Sequence, residues 1–302
     1  MELSICIPVF NFDVRELVFD LKKEIEAYDM DVEIILIDDA SDDSFKHINT
    51  SLHNEVQNLI FLEKNIGRSK IRNLFSKYSR GKYLLFLDCD VKIDNAAFLQ
   101  NYLAEIKKQP DLELMYGNFK IAGQYSTTLR NKYSLEREIF SGDHSSNFSL
   151  FKTVNFVIKK NIFEKFPFNE ELVEYGYEDF VFSKLLEQNK IKFLAINNPV
   201  IHFDDTSNEV FLKKTAVAMR SLLTLSENSQ NRAFIKDIKV YKAAVKLKQL
   251  KMVSVFLFLY GIFEDKIKKN LLSQNPNIKY FDFYKLGLLV RKMRSSRSDS
   301  GN

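Results

Sequence analysis

The stretch YLLFLDCD at residues 83–90 limits this chain's folding more than any other. Five apolar residues run unbroken from Tyr83 to Leu87, which is the length and character of a strand buried on both faces of a parallel sheet. The strand then delivers two carboxylates, Asp88 and Asp90, on either side of Cys89. Open α/β sheets bind their ligands beyond the carboxyl ends of the strands. Two acidic groups one residue apart are poor neighbours without a cation, and a divalent metal carrying a diphosphate supplies one. An acidic turn with no ligand would satisfy the same letters, so the rest of the chain has to decide.

The segments before this stretch alternate. Leu3–Val9 reads as a strand, and Asp13 is placed to cap the helix after it, whose apolar positions Val14, Val18, Leu21 and Ile25 share one face. Residues 32–37 read as a second strand ending in the acidic run IDDASDD, and residues 59–62 as a third. Asn65-Ile66-Gly67 then turns into a helix with Ile71, Leu74, Phe75 and Tyr78 on one face, which also carries Arg72 and Asn73. Strands and helices alternating at this spacing predict a doubly wound, mostly parallel α/β sheet flanked by helices. After Asp90 the alternation loosens. Short strands are predicted at 112–116, 118–122, 154–158 and 192–196, with a polar, mobile loop over the site at 124–153. Glu178 and Asp179 open a helix, and VIHFDD places His202 at the end of a short strand.

The formal net charge of +4 hides an asymmetry. From Thr206 onward there are 19 Lys and Arg against 7 Asp and Glu, a balance of +12, whereas the first 205 residues carry −8. The basic part reads as helical. In residues 232–250, Phe234, Ile238, Tyr241 and Val245 form one stripe, and Lys236, Lys239, Lys242 and Lys246 lie largely off it. Two readings stay open: a helix packed on the body with a solvated lysine face, or peripheral contact of 232–263 with an anionic membrane. The apolar run MVSVFLFLYGIF at 252–263 is too short to span a bilayer, which takes about 20 residues. The division expected is 1–205 for the α/β domain, 206–293 for the basic helical segment and 294–302 for a disordered tail. Cys6 and Cys89 both lie in apparent strands and fit no secreted disulfide framework. With no signal peptide visible, the expected location is cytoplasmic, at most peripheral at the inner face of the membrane. The 27 Phe residues carry no functional message by themselves.

Five motifs stand in a definite order: SICIPVFN at 4–11, IDDASDD at 37–43, NIGRSKIRN at 65–73, FLDCD at 86–90 and YGYED at 175–179. In that order the chain resembles the family 2 glycosyltransferases of GT-A fold over about residues 1–205. The later part, GYED followed by a histidine after a short strand, also resembles the galactosyltransferase-type branch of that fold, in which the histidine is a metal ligand. The resemblance implies an inverting hexosyl transfer from a nucleotide-diphosphate sugar, chiefly a UDP-sugar, with Mn²⁺ or Mg²⁺. It implies a glycan or lipid-linked glycan acceptor in surface or capsular polysaccharide synthesis, and no nucleic acid partner. Pro8, Phe10 and Asp39 would line the nucleotide pocket, Asp39 accepting from a uracil N–H, while Asp38 would be structural or reach the ribose. Arg72 would meet the diphosphate or an Asp of the site. Asp88 would meet the ribose or the metal, and Asp90 and His202 would bind the metal. Asp179 would be the catalytic base and Glu178 would orient the acceptor. Where the family often has an aromatic-Gly-Gly or Trp-rich stretch, this chain has Tyr175-Gly176-Tyr177 and no Trp, which leaves the acceptor open. The rival classes are a catalytically silent nucleotide-sugar-binding subunit, which would lack the base, and a sugar-phosphate nucleotidyltransferase. The latter would need a Gly-rich, basic loop where this chain has Pro8-Val9-Phe10-Asn11.

Overall fold

The computed structural model describes residues 1–140, 148–172 and 175–298. Two compact units divide the chain. The first comprises Met1–Ala122, Glu138–Val173 and Phe182–Asp204, and the second Gly123–Arg137, Glu174–Val181 and Asp205–Asn302.

In the first unit the chain runs β1 (Leu3–Val9), α1 (Arg15–Ala27), β2 (Val32–Asp38), α2 (Asp43–Thr50), β3 (Asn58–Phe61), α3 (Arg68–Tyr78) and β4 (Tyr83–Leu87). It continues through β5 (Val91–Ile93), α4 (Phe98–Lys108), β6 (Leu114–Tyr116) and β7 (Phe119–Ile121). Among the described residues the main sheet has seven strands and begins β3-β2-β1-β4, all parallel. This is the arrangement the alternation predicts. β4 is buried on both faces: Tyr83, Leu85 and Leu87 join one core and Leu84 and Phe86 the other.

The predicted loop at 124–153 is largely structured where it is described. Residues 123–125 and 148–150 form single 3₁₀ turns, and α5 (Leu129–Arg137) belongs to the second unit, while 141–147 lie outside the described residues. Helix α5 is polar enough to hide its period: its buried positions include Asn131 and Ser134 beside Leu129. β8 (Asn155–Lys159) then runs antiparallel between β4 and β6, followed by α6 (Lys160–Lys165), α7 (Glu178–Gln188), β9 (Phe193–Ala195) and β10 (Val200–His202). β9 closes the main sheet beside β6, and β5-β10-β7 form a second, three-stranded sheet.

Much of the phenylalanine content goes into the core of this unit. Phe86 stacks on Phe156 at 4.9 Å between ring centroids, and Phe168 stacks on Phe182 at 4.0 Å. Phe163 touches Phe86, Phe168 and Phe182. Each fully buried ring of this kind contributes on the order of 2–3 kcal/mol.

The second unit holds α8 (Asn208–Glu227), α9 (Ser229–Ile235), α10 (Lys239–Gln249), α11 (Val253–Leu271) and α12 (Ile278–Ser298). The helix predicted over 232–250 is broken: Ile238 is extended, at φ −72° and ψ 115°, and separates α9 from α10. α12 continues to Ser298, so 294–298 are helical rather than tail, and 299–302 lie outside the described residues. α12 crosses α8, α10 and α11. Gly287 allows α12 to approach α11 closely, because a Cβ there would lie 2.2 Å from the Tyr260 ring. The hydrogen bond from Arg291, supported by Lys268, outweighs burial and holds the Glu264 carboxyl down to about 2. No helix among the described residues is long and apolar enough to cross a membrane.

Candidate active site

Two of the parallel strands, β2 and β4, lead into carboxylates, and the structure gives each carboxylate a different fate. Asp38 closes β2, and its Oδ1 accepts from the Ser41 amide at 2.7 Å while its buried Oδ2 has no partner among the described residues. Asp39 turns the other way. Its two oxygens accept from the amides of Ile66 (2.7 Å) and Gly67 (3.0 Å), which ties the turn before α3 to the end of β2. Burial raises its carboxyl above the usual range, and the two amide bonds only partly offset this. Gly67, at φ +84°, adopts the left-handed backbone that presents its N–H to Asp39. Pro8 is half-buried within β1, opposite Ile37 in register, and Phe10 stands half-exposed just beyond the strand.

Asp88 and Asp90 separate. Asp88 follows Phe86 on the α3 side of the sheet, where Arg72 reaches it at 2.6 Å. Arg72 is only 3% exposed, so it is not a solvated helix arginine; it also donates to the Arg68 carbonyl and lies 5.9 Å from the Phe168 ring centroid. Arg68 adds a second guanidinium 3.8 Å from Asp88. The Asp88 carboxylate is thus engaged by two arginines. The sequence placed Arg68 one turn before Arg72 but gave no reason to select it.

Asp90 instead meets His202, whose Nε2 lies 3.2 Å from Asp90 Oδ2. The strand β5, which the sequence did not reveal, makes this meeting. It pairs antiparallel with β10 in the register His202↔Val91, and the Phe203 amide donates to the Asp90 carbonyl at 2.8 Å. Burial opposes ionisation of Asp90, but His202 and then Arg68 hold the carboxyl below its usual range. Asp90 Oδ1 is buried with no hydrogen-bond partner among the described residues. A carboxylate oxygen left unpartnered beside a buried imidazole is a donor pair suited to a divalent cation. No group of three or more His, Cys, Asp and Glu side chains forms a metal cluster among the described residues.

Behind β10 a ring of amides fixes its position, and nothing in the sequence pointed to it. Tyr102 Oη donates to Asn155 Oδ1 at 2.6 Å, and Asn155 Nδ2 donates to the Asn198 carbonyl at 2.9 Å. Asn198 Nδ2 in turn donates to the Phe98 carbonyl at 2.9 Å. Gly117 is required there, since a Cβ would lie 2.3 Å from Asn155 Nδ2. Asp13 does not cap α1 in the expected way: Val14 is the N-cap residue, and Asp13 accepts from the Arg15 amide and side chain.

Glu178 and Asp179 occupy the first turn of α7, as predicted, and belong to the second unit. Gly176 (φ +105°) and Tyr177 (φ +70°) aim this turn. Gly176 also lies against α8, where a Cβ would come within 2.7 Å of Ala218 Cβ, and the Tyr175 carbonyl accepts from Ser221 Oγ at 3.2 Å. The buried Glu178 carboxylate accepts from the Gly176 amide at 3.0 Å.

A mostly parallel sheet whose carboxyl edge gathers Asp39, Asp88 and Asp90, with a short strand bringing in His202, is a GT-A architecture. The family model described as glycosyl transferase family 2 matches residues 4–171, more than half the chain, and the chain belongs to that family. Among curated proteins it is 32% identical over 119 residues to a poly(ribitol-phosphate) beta-glucosyltransferase of Bacillus spizizenii, covering 38% of this chain and 19% of that one. It is 24% identical over 238 residues to the minor teichoic acid biosynthesis protein GgaB of Bacillus subtilis, covering 75% and 26%. The chain thus spans about a quarter or less of the length of these relatives. Among solved structures, S. aureus TarS 1–349 in complex with UDP matches at TM-score 0.51 and 18% identity, covering 99% of this chain and 92% of that one. The mannosyltransferase PcManGT of Pyrobaculum calidifontis, in complex with GDP-Man and Mn²⁺, matches at 0.54 and 10%, covering 97% and 87%. At these identities the two structures speak for the fold.

Proposed function

We propose that this chain is an inverting, metal-dependent hexosyltransferase that moves a sugar from a UDP-sugar to a hydroxyl of a polyol-phosphate polymer of the teichoic acid type. The observation that carries the reading is the Asp90–His202 pair, with Asp90 Oδ1 unpartnered, at the carboxyl end of the central strand. The names of the two curated relatives support a phosphate-polymer acceptor. The TarS complex with UDP supports the donor. Asp90 and His202 would hold Mn²⁺, or Mg²⁺ in its place. When bound, the cation supplies positive charge to the departing diphosphate.

The chain's own residues do the remainder. Asp39, Pro8 and Phe10 receive the uracil and ribose. Arg72 and Arg68 hold Asp88 in place, and Asp88 in turn faces the donor. Asp179 accepts the proton of the attacking hydroxyl, and Glu178 orients the acceptor. The test pairs calorimetric UDP binding with initial transfer rates. Asp179→Asn should bind UDP and metal normally and lose transfer by about 10²–10⁴-fold, the contribution of a positioned general base. Near-normal turnover in that variant would place the base elsewhere, and full activity in EDTA would remove the metal from the reading.

A further inference from the structure

Helix α11 has two faces of opposite character. Phe256, Tyr260, Ile267 and Leu271, spaced at about one or two turns, are buried against the rest of the second unit. The other face is also apolar and has no cover among the described residues. Met252, Val255, Phe258, Leu259, Ile262 and Phe263 are each 45–69% exposed. Such a run of large exposed side chains on one face marks an interaction surface. Its surroundings narrow the choice of partner. Lys266 and Lys269 continue the Val255–Leu259–Ile262 stripe at helical spacing, and both are exposed. Lys248 and Lys251 are exposed immediately before the helix, and α10, which packs beside α11 and α12, exposes Lys239, Lys242 and Lys246.

An apolar belly bounded at both ends by lysines matches a bilayer whose headgroups are anionic. The rings enter the headgroup–acyl boundary and the long lysine side chains extend back to the phosphates. A soluble polyanion would use the lysines and leave the apolar side chains wet. A second copy of this chain would bring the same lysines into mutual repulsion. α11 is too short in apolar length to span. We propose that the exposed face of α11, with its flanking lysines, is a peripheral docking surface for anionic lipid. This proposal does not depend on the transferase reading.

The chain contains no tryptophan, so Phe258→Trp introduces a single reporter at the most exposed ring of the face. With phosphatidylglycerol vesicles its emission should shift to the blue and be quenched by brominated acyl chains, and with phosphatidylcholine vesicles both effects should be much weaker. In flotation, Phe258→Ser/Ile262→Ser should lower partitioning to phosphatidylglycerol at least tenfold. Lys266→Gln/Lys269→Gln should lower it by roughly fivefold per lysine at low salt. Both variants change exposed side chains, and unchanged far-ultraviolet circular dichroism and melting would confirm that they fold. Failure of the full chain to float with phosphatidylglycerol vesicles would overturn the proposal. So would equal flotation of the serine variant, or concentration-dependent dimers in sedimentation that the serine variant abolishes without any vesicle binding.

Discussion

The two ends of the central sheet place carboxylates in opposite situations. At the amino end, Glu33 is fully buried and fully satisfied. Ser4 Oγ donates to Oε1 at 2.6 Å, the Arg80 amide to Oε1 at 2.6 Å, and Arg80 Nε to Oε2 at 2.9 Å. Ser4 Oγ itself accepts from the Gly81 amide at 2.8 Å, and Gly81 has to be small because a Cβ would meet the β1 backbone at 2.6 Å. At the carboxyl end, Asp38 Oδ2, Asp90 Oδ1 and Arg72 Nε are all buried without a hydrogen-bond partner among the described residues. A buried polar group without a partner costs about 1–3 kcal/mol. Glu33 is therefore placed to add stability, whereas the three unpartnered atoms at the carboxyl end each carry a cost.

The largest effect expected from that contrast is on chemistry. Asp90→Asn should reduce transfer and metal-dependent UDP binding by at least about 10²-fold, as loss of a metal ligand does, without lowering the melting temperature. A variant that melts earlier and still binds UDP would make the carboxyl end structural and dissolve the contrast. Glu33→Gln should do the reverse, losing about 2–4 kcal/mol in urea unfolding because it breaks a buried, charge-assisted network. Its transfer rate per folded molecule should be that of the wild type.

The acid limb follows from the directions of the shifts. Burial raises the Glu33 carboxyl, but Ser4 and Arg80 more than reverse this, so its folded value lies below the ordinary one. The stability it contributes is present above the unfolded value, near 4.3, and is lost as pH falls through the folded value, so the gap between wild type and Glu33→Gln should narrow below about pH 4. Asp39 is raised and has the opposite sign: its ionisation costs stability at neutral pH, and the cost is relieved on acidification. Parallel urea titrations of the wild type, Glu33→Gln and Asp39→Asn read both signs, and the same slope in both variants would contradict the assignment. The smallest effect is Arg80→Ala. The side chain is 65% exposed and its backbone donor survives the change, so about 1 kcal/mol should be lost in the same melts.

Local pattern determined a great deal of this protein. The unbroken run Tyr83–Leu87, the helix faces carrying Ile71 and Phe75, and the acidic strand ends each follow from periodicity and composition within one element. The parallel half of the sheet, the carboxylates at its strand ends and the start of α7 at Glu178 were therefore legible. Elements whose period is short or masked were not. β5 has three residues, α5 buries polar side chains, and the single helix read over 232–250 breaks at an isoleucine that a propensity argument passes over.

Tertiary structure alone decided which candidate residues meet. Asp88 and Asp90 look equivalent in sequence, yet one faces α3 and Arg72 while the other faces β10 and His202. Only the register of β5 against β10 selects a histidine 112 positions away, and only packing shows that Arg72 is buried and α11 uncovered. The physical reason is that periodicity reports the face a residue occupies within its own element. What lies opposite that face depends on pairings between distant segments, which the sequence between them does not encode locally.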